Sequence, residues 1–152
     1  MLSGRLVRMV EDHAEQLTSG LIADLKRNPR TAGYHNLADA EIHLRVFNVY
    51  HDLGEWLGKE AENLVDAHYS QLGKRRAVEA VPLSQVLYAL IQTKAHLFDY
   101  IRRAGLFDSA MDLYQLQEFR RLVDNFFDKA VYYTARAYER EVSLHPAAQL
   151  AG

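Results

Sequence analysis

Between Ser109 and Glu141 the chain places Leu116, Phe119, Val123, Phe126, Ala130, Tyr133 and Ala137 at alternating steps of three and four residues. That spacing keeps the side chains on one face of an α-helix, so the span reads as a single long helix with a heptad-like seam. Leu113, Leu122, Phe127, Val131 and Tyr132 lie outside the seam and widen its apolar surface. A helix with more than one apolar face must meet more than one partner. This one is expected to sit centrally in its own bundle and to bury a face against a second subunit. Leu116, Phe119, Val123, Phe126, Ala130 and Tyr133 are the candidate homodimer interface.

The rest of the chain fits an all-α bundle of about five main helices, of which this C-terminal helix is the longest. No segment alternates apolar and polar residues with the period of a half-buried strand. Proline occurs only at 29, 82 and 146, between helical patterns or after the last one. The first helix is predicted over Ser3–Arg27, with Leu6, Val10, Leu17, Leu21 and Leu25 as its stripe. The second carries Ile42, Val46, Val49, Tyr50, Leu53, Trp56 and Leu57 on one face, and Asn36 to Asp39 offer its N-cap. The third covers about Lys59–Glu79, with a possible break at Gly73 and with Leu64, His68 and Leu72 inward. The fourth starts at the Val81-Pro82 turn, runs to about Arg103 and stops at Gly105. These elements predict one helical sensor or regulatory domain over 1–142 and a flexible tail over 143–152.

Composition narrows the function classes. The chain has 152 residues, a formal net charge of −2 and no cysteine, which excludes disulfides, thiolate metal sites and a cysteine nucleophile. Basic residues are dispersed among acidic ones, so no nucleic-acid partner is expected. No apolar run reaches the roughly 18 residues that span a bilayer. MLSGRLVRMVEDH turns acidic too early for a signal peptide. No membrane partner is expected, and the expected location is cytoplasmic.

Candidate chemistry is sparse. No nucleophile elbow, phosphate-binding glycine loop, HExxH or paired Glu-x-x-His motif occurs, so no catalysis is expected. His68 reads either as an interior hydrogen-bonded histidine or as a haem or metal ligand. Tyr88, Gln92, His96 and Tyr100 recur every four residues beside the apolar stripe of the fourth helix. They could form the polar wall of a ligand pocket, a polar dimer surface, or a boundary between core and solvent. His43 and His51 read as a solvated face or a weak metal pair with Glu55.

Two resemblances sharpen this. The stretch from His68, HYSQLGKRRAVEAVPLSQVLYAL, resembles the proximal-histidine region of globin-coupled sensors, whose pattern is IG-x-x-H-x-x-x-G-(V/L)-P. Leu72-Gly73 match the first pair and Val81-Pro82 the last, which lays the histidine position on Arg76. Arginine has no lone pair to offer iron, so the resemblance implies a globin-like module without its haem ligand. Arg75 and Arg76 could then hold an anion in the vestigial site or form a surface ion-paired couple. The stretch from Val81, VPLSQVLYALIQTKAHLFDYIRRAGLFDSAMDLYQLQEFRRLVDNFFDKAVYYTARAYE, together with VYHDLGEWL and HYSQLGKRR upstream, resembles the N-terminal domain of RsbR/RsbRD-type stressosome co-antagonists. The similarity thins out over the first helix.

That resemblance implies a non-catalytic, non-haem, globin-like sensory domain, usually dimeric, that feeds a downstream STAS-type or kinase-type partner and takes no cofactor. Nothing like a STAS domain lies within these residues, so the phosphorylation and kinase binding of that domain are not carried over. The expected mechanism is a shift between two dimer packings. A ligand pocket is expected between the second, third and fourth helices, with His68, Arg76, Tyr88, Gln92, His96 and Tyr100 as candidate lining. The rival expectation is a haem- or metal-binding globin-type sensor using His68 or His96.

Overall fold

The structure is a computed structural model that describes residues 3–104 and 110–145. Its order is α1 Ser3–Asp12, α2 Ala14–Leu25, a 3₁₀ segment Pro29–Tyr34, α3 Asp39–His51, α4 Leu53–Trp56, α5 Glu62–Val78, α6 Leu83–Ala104 and α7 Ala110–Leu144. No strand occurs among the described residues. The chain is all-α, as its periodicity predicts.

Two predicted helices are broken in two. The first is interrupted at His13 (φ −114, ψ 22), whose Nδ1 lies 2.9 Å from the Met9 carbonyl. The break frees α1 to pack on α3, α4 and α7 while α2 packs on α3 and α6. An unbroken apolar stripe hides such a change of direction, because both halves still face the core. The second predicted helix breaks at Asp52 (φ −108, ψ 29). Trp56 therefore sits on α4, and its indole N–H donates to the Asn48 carbonyl at 3.1 Å. The predicted side-chain cap of α3 is not formed: the N-cap is Ala38, without a capping side chain. Asp39 lies in the first turn instead, where negative charge suits the helix dipole, and it pairs with Lys26 at 2.9 Å.

The third predicted helix is continuous through Gly73, and its inner face differs from the predicted one. Val65, Tyr69, Leu72, Gly73 and Arg76 are buried, whereas Leu64 is exposed. Gly73 faces α7 at the most extensive helix pair of the fold. α7 extends through Ser143 and Leu144, past the predicted domain end. Gly105, Ser109 and Pro146 lie outside the described residues.

The long seam of α7 faces into its own protomer. Phe119, Val123, Phe126 and Ala130 are buried in one core cluster with Leu6, Val10, Val65, Tyr69 and Leu97, and Leu116 and Tyr133 pack partly buried against it. Buried Phe119, Val123, Phe126 and Ala130 present no surface to a second subunit, whereas Leu116 and Tyr133 of the predicted interface stay partly exposed. The most exposed large apolar residues of α7 are Met111, Leu113, Tyr114, Tyr132 and Leu144.

α5 ends in a left-handed residue, Ala80 (φ 58). The Val81 N–H bonds the Arg76 carbonyl at 3.0 Å, and Ala80 N–H bonds the Ala77 carbonyl at 3.0 Å. This is the reversal that closes many helices and normally uses glycine. The globin-sensor pattern carries glycine at this same position. Ala80→Gly is expected to raise stability by about 0.5–1 kcal/mol, because relief of the Cβ clash outweighs the added freedom of the unfolded chain. Urea unfolding measures the gain as a higher midpoint at unchanged slope.

Candidate functional site

The centre of interest is a buried arginine. Arg76 is 1% exposed, and a cation is stable there only if it is paired. Its Nη2 donates to Glu41 of α3 at 2.8 Å, and its Nη1 donates to Glu79 at 2.7 Å. The guanidinium carbon lies 5.1 Å from the centre of the Tyr34 ring. Burial pushes the Arg76 pKa down, but the Tyr34, Glu41 and Glu79 oxygens outweigh it, so the charged state is reinforced. Glu41 also accepts from Arg45 Nε at 2.6 Å, and Arg75 approaches it at 3.4 Å. Burial raises the Glu41 carboxyl, while the Arg76 and Arg45 contacts carry it net below the ordinary range. Arg76 Nε is buried and finds no acceptor among the described residues.

The expected surface couple is thereby divided. Arg75 stays half-exposed, while Arg76 is interior. It bridges α3 to the C-terminal turn of α5, where positive charge also suits the helix dipole.

Arg76 and His68 line one small, partly open cleft of about 40 Å³, between α3, α5 and α6. Its wall includes Arg45, Val49, Tyr69 and Leu90. A water-sized sphere needs about 10–15 Å³, whereas organic ligand sites run to roughly 300–1,000 Å³. The cleft therefore matches a very small species. His68 packs edge-on against Trp56 and Tyr69. Burial, helped by the Arg45 charge, lowers its pKa to about 4.

A histidine whose folded pKa lies below its unfolded value stabilises the fold above the unfolded value, near 6.5. That contribution is lost as pH falls from there toward the folded value. Stability is expected to decline between pH 6.5 and about 4 with a slope approaching about 1.4 kcal/mol per unit. Thermal unfolding against pH measures it, and His68→Gln is expected to flatten that segment.

The remaining predicted lining residues lie elsewhere. Gln92 Nε2 donates to Asp24 Oδ2 at 3.1 Å, and His96 Nε2 lies 3.3 Å from the same oxygen. Both border an open surface groove beside Phe98, Leu116 and Arg120, and not the cleft at His68. Arg30 donates to the Tyr88 hydroxyl at 3.3 Å, and Tyr100 packs against His13 with ring centres 5.1 Å apart. The four-residue stripe thus ties α6 to α2, its flanking residue His13 and the 3₁₀ segment. Tyr88 and Tyr100 line neither the groove nor the cleft. The six candidates divide into an interior pair, His68 and Arg76, and an outer stripe.

His43 Nε2 lies 3.0 Å from Glu15 Oε2, and His51 Nδ1 lies 3.0 Å from Asp52. Phe47 is stacked between the two rings. No group of three or more metal-ligating side chains occurs among the described residues.

Sequence reasoning missed Glu41, Arg45, Tyr69 and Glu79. Two signals were available. Glu41 and Arg45 stand four apart, as do Arg75 and Glu79, the spacing of helical ion pairs. Tyr69, Leu72 and Arg76 also share one helical face, which puts an arginine on a buried stripe and calls for a partner.

No helix among the described residues is long and apolar enough to cross a membrane. No curated protein and no solved structure matches the chain. A family model described as the RsbT co-antagonist protein rsbRD N-terminal domain matches residues 11–149. The match takes in most of the first predicted helix, where the resemblance thins out.

Proposed function

The chain belongs to the family of RsbT co-antagonist protein rsbRD N-terminal domains, and on that premise we propose that it is a non-catalytic signal-input domain, globin-like in fold and independent of haem. It works in the cytoplasm as a homodimer whose two packings are biased by a bound ligand, a pH change or a partner. A STAS-type or kinase-type protein downstream receives the change.

The observation that carries the reading is Arg76. It occupies the position that the globin-sensor pattern gives to the iron-binding imidazole, and it is ion-paired to Glu41 across α3 and α5. Beside Arg76 and His68 the described residues leave a space of only about 40 Å³, which supports a reading without a tetrapyrrole. The exposed Met111, Leu113 and Tyr114 near the start of α7 supply apolar surface for a second copy. The rival reading, haem or metal on His68 or His96, draws on the position of His68 at that space. Its low pKa keeps the ring neutral and able to ligate.

Size-exclusion chromatography with light scattering is expected to give twice the 17.4 kDa chain mass. A Met111→Ser/Leu113→Ser/Tyr114→Ser protein is expected to elute as a folded monomer. A monomeric parent protein at micromolar concentration would contradict signalling through dimer packing.

A further inference from the structure

A separate, partly open cleft of about 200 Å³ lies where the α4–α5 connection meets the middle of α7. Its floor is apolar: Trp56, Val65 and Phe126 are largely buried yet border it, and partly buried Leu57 and Leu122 extend the wall. Its charged side chains are mostly basic, with Lys59, Arg121 and Lys129 set against one carboxylate, Glu62. The partners of these charges decide what the cleft can take. Arg121 donates to Glu118, from Nε at 3.2 Å and from Nη2 at 2.6 Å. Glu62 accepts from the Tyr133 hydroxyl at 2.8 Å and pairs with Lys129 at 3.5 Å. Lys59 has no ion-pair partner among the described residues, and Glu60, next to it in the chain, does not line the cleft. The first turn of α5, which has no capping side chain, borders the same space at Ala61 and Glu62, and a helix start favours negative charge.

We propose that this cleft is a binding site for a small amphipathic monocarboxylate, with its apolar part on Trp56 and Phe126 and its carboxylate on Lys59. One cation without a partner suits one negative charge. An inorganic anion would leave the apolar floor uncovered. An organic cation would meet three basic side chains, and the one carboxylate among them is already engaged. The volume lies below the roughly 300–1,000 Å³ of ordinary organic ligand sites, so the fit is a short aliphatic or single-ring acid. A ligand held this way ties Lys59 of the α4–α5 connection to α7, beside the most extensive helix pair of the fold. The meaning of the site as an input rests on the signal-input reading, whereas the binding itself stands on the cleft and its charges alone.

Trp56 is the only tryptophan of the chain, so its indole N–H gives a single NMR signal that reports on the cleft floor. Sodium hexanoate and sodium phenylacetate are the probes. Hexanamide keeps the tail without the charge, and sodium chloride controls for ionic strength. Both acids are expected to shift the Trp56 indole and Asn125 side-chain amide signals saturably in the millimolar range. Hexanamide is expected to bind about fivefold more weakly than hexanoate, the factor an exposed ion pair supplies. Equal binding of hexanamide, shifts centred away from residues 56–65 and 121–129, or no saturable shift across the millimolar range would overturn the proposal.

Lys59 is exposed, so its substitution is expected to leave the fold intact. Lys59→Gln is expected to weaken hexanoate about fivefold and leave hexanamide unchanged. Lys59→Glu is expected to weaken hexanoate further, and Lys59→Arg to retain it. Unchanged hexanoate affinity in Lys59→Glu would contradict the site. Light scattering on the same samples separates the two ideas: saturable hexanoate binding to a monomeric protein would leave the site standing and remove the dimer reading.

Discussion

Arg76→Met is expected to lower unfolding stability by about 3–5 kcal/mol, the range for removing one partner of a buried ion pair. The loss comes from what stays behind. Glu41 and Glu79 keep their carboxylates in a poorly hydrated setting, with their interior cation gone. The control is a second change: Arg76→Met with Glu41→Leu is expected to recover most of the loss. Replacing both partners by apolar groups is often neutral or stabilising, and Arg45 can turn to solvent from its edge position. Urea denaturation of the four proteins in the cycle measures the coupling. Additive losses, with no recovery in the double variant, would mean that the Arg76–Glu41 contact does not hold α3 to α5.

A pH series adds the sign. The Glu41 carboxyl is held below its ordinary range, so its stabilising share is full above the unfolded value, near 4.3, and fades as pH falls below it. The His68 decline lies higher, between 6.5 and about 4. Acid destabilisation of this chain is therefore expected to begin with His68 and to deepen with Glu41.

The second large effect is expected at Gly73. A Cβ there would stand 2.2 Å from the Thr134 carbonyl oxygen and 3.1 Å from the Ala137 Cβ. The contact is with helix backbone, so no side chain can swing away. Alanine gains about 1 kcal/mol of helix propensity over glycine, yet α5 and α7 must separate to admit it. Overpacking of this kind typically costs about 1–3 kcal/mol, occasionally more. Gly73→Ala is expected to come out net destabilising by about 2 kcal/mol, and Gly73→Val by more. Thermal unfolding would register about 2–4 °C per kcal/mol for a chain of this size. A Gly73→Ala protein as stable as the parent would show that the two helices do not cross so closely.

Gly73 also shows how far the sequence can be read. Inside a helical pattern a glycine suggests a break. The opposite happens here, because the missing side chain is what lets α7 approach, and that need lies sixty residues away in the chain. The helices themselves were legible, since each apolar stripe is a local property with the 3.6-residue period. The turns at His13 and Asp52 were not, because a stripe continues across a change of direction that is set by tertiary packing. The direction of the α7 seam was ambiguous for the same reason. Phe119, Val123, Phe126 and Ala130 look alike whether they meet the chain's own α5 or a second copy.

The site was half legible. Arg76 stood out against a histidine pattern and His68 stood out as an inward-facing ring, and both line the small cleft. The stripe from Tyr88 to Tyr100 had the right spacing for a pocket wall, but its partners, Asp24, Arg30 and His13, are a distant stretch that no periodicity connects to it. Glu41 was invisible as the counterion until α3 and α5 were side by side.

Whether the interior is organised by a guanidinium or by iron is tested most directly by adding hemin to the purified protein and recording its absorbance. The expected spectrum is that of free or loosely adsorbed hemin, unchanged in a His68→Ala protein. A stoichiometric Soret band that disappears with His68→Ala would place a tetrapyrrole inside the bundle and contradict the role given to Arg76.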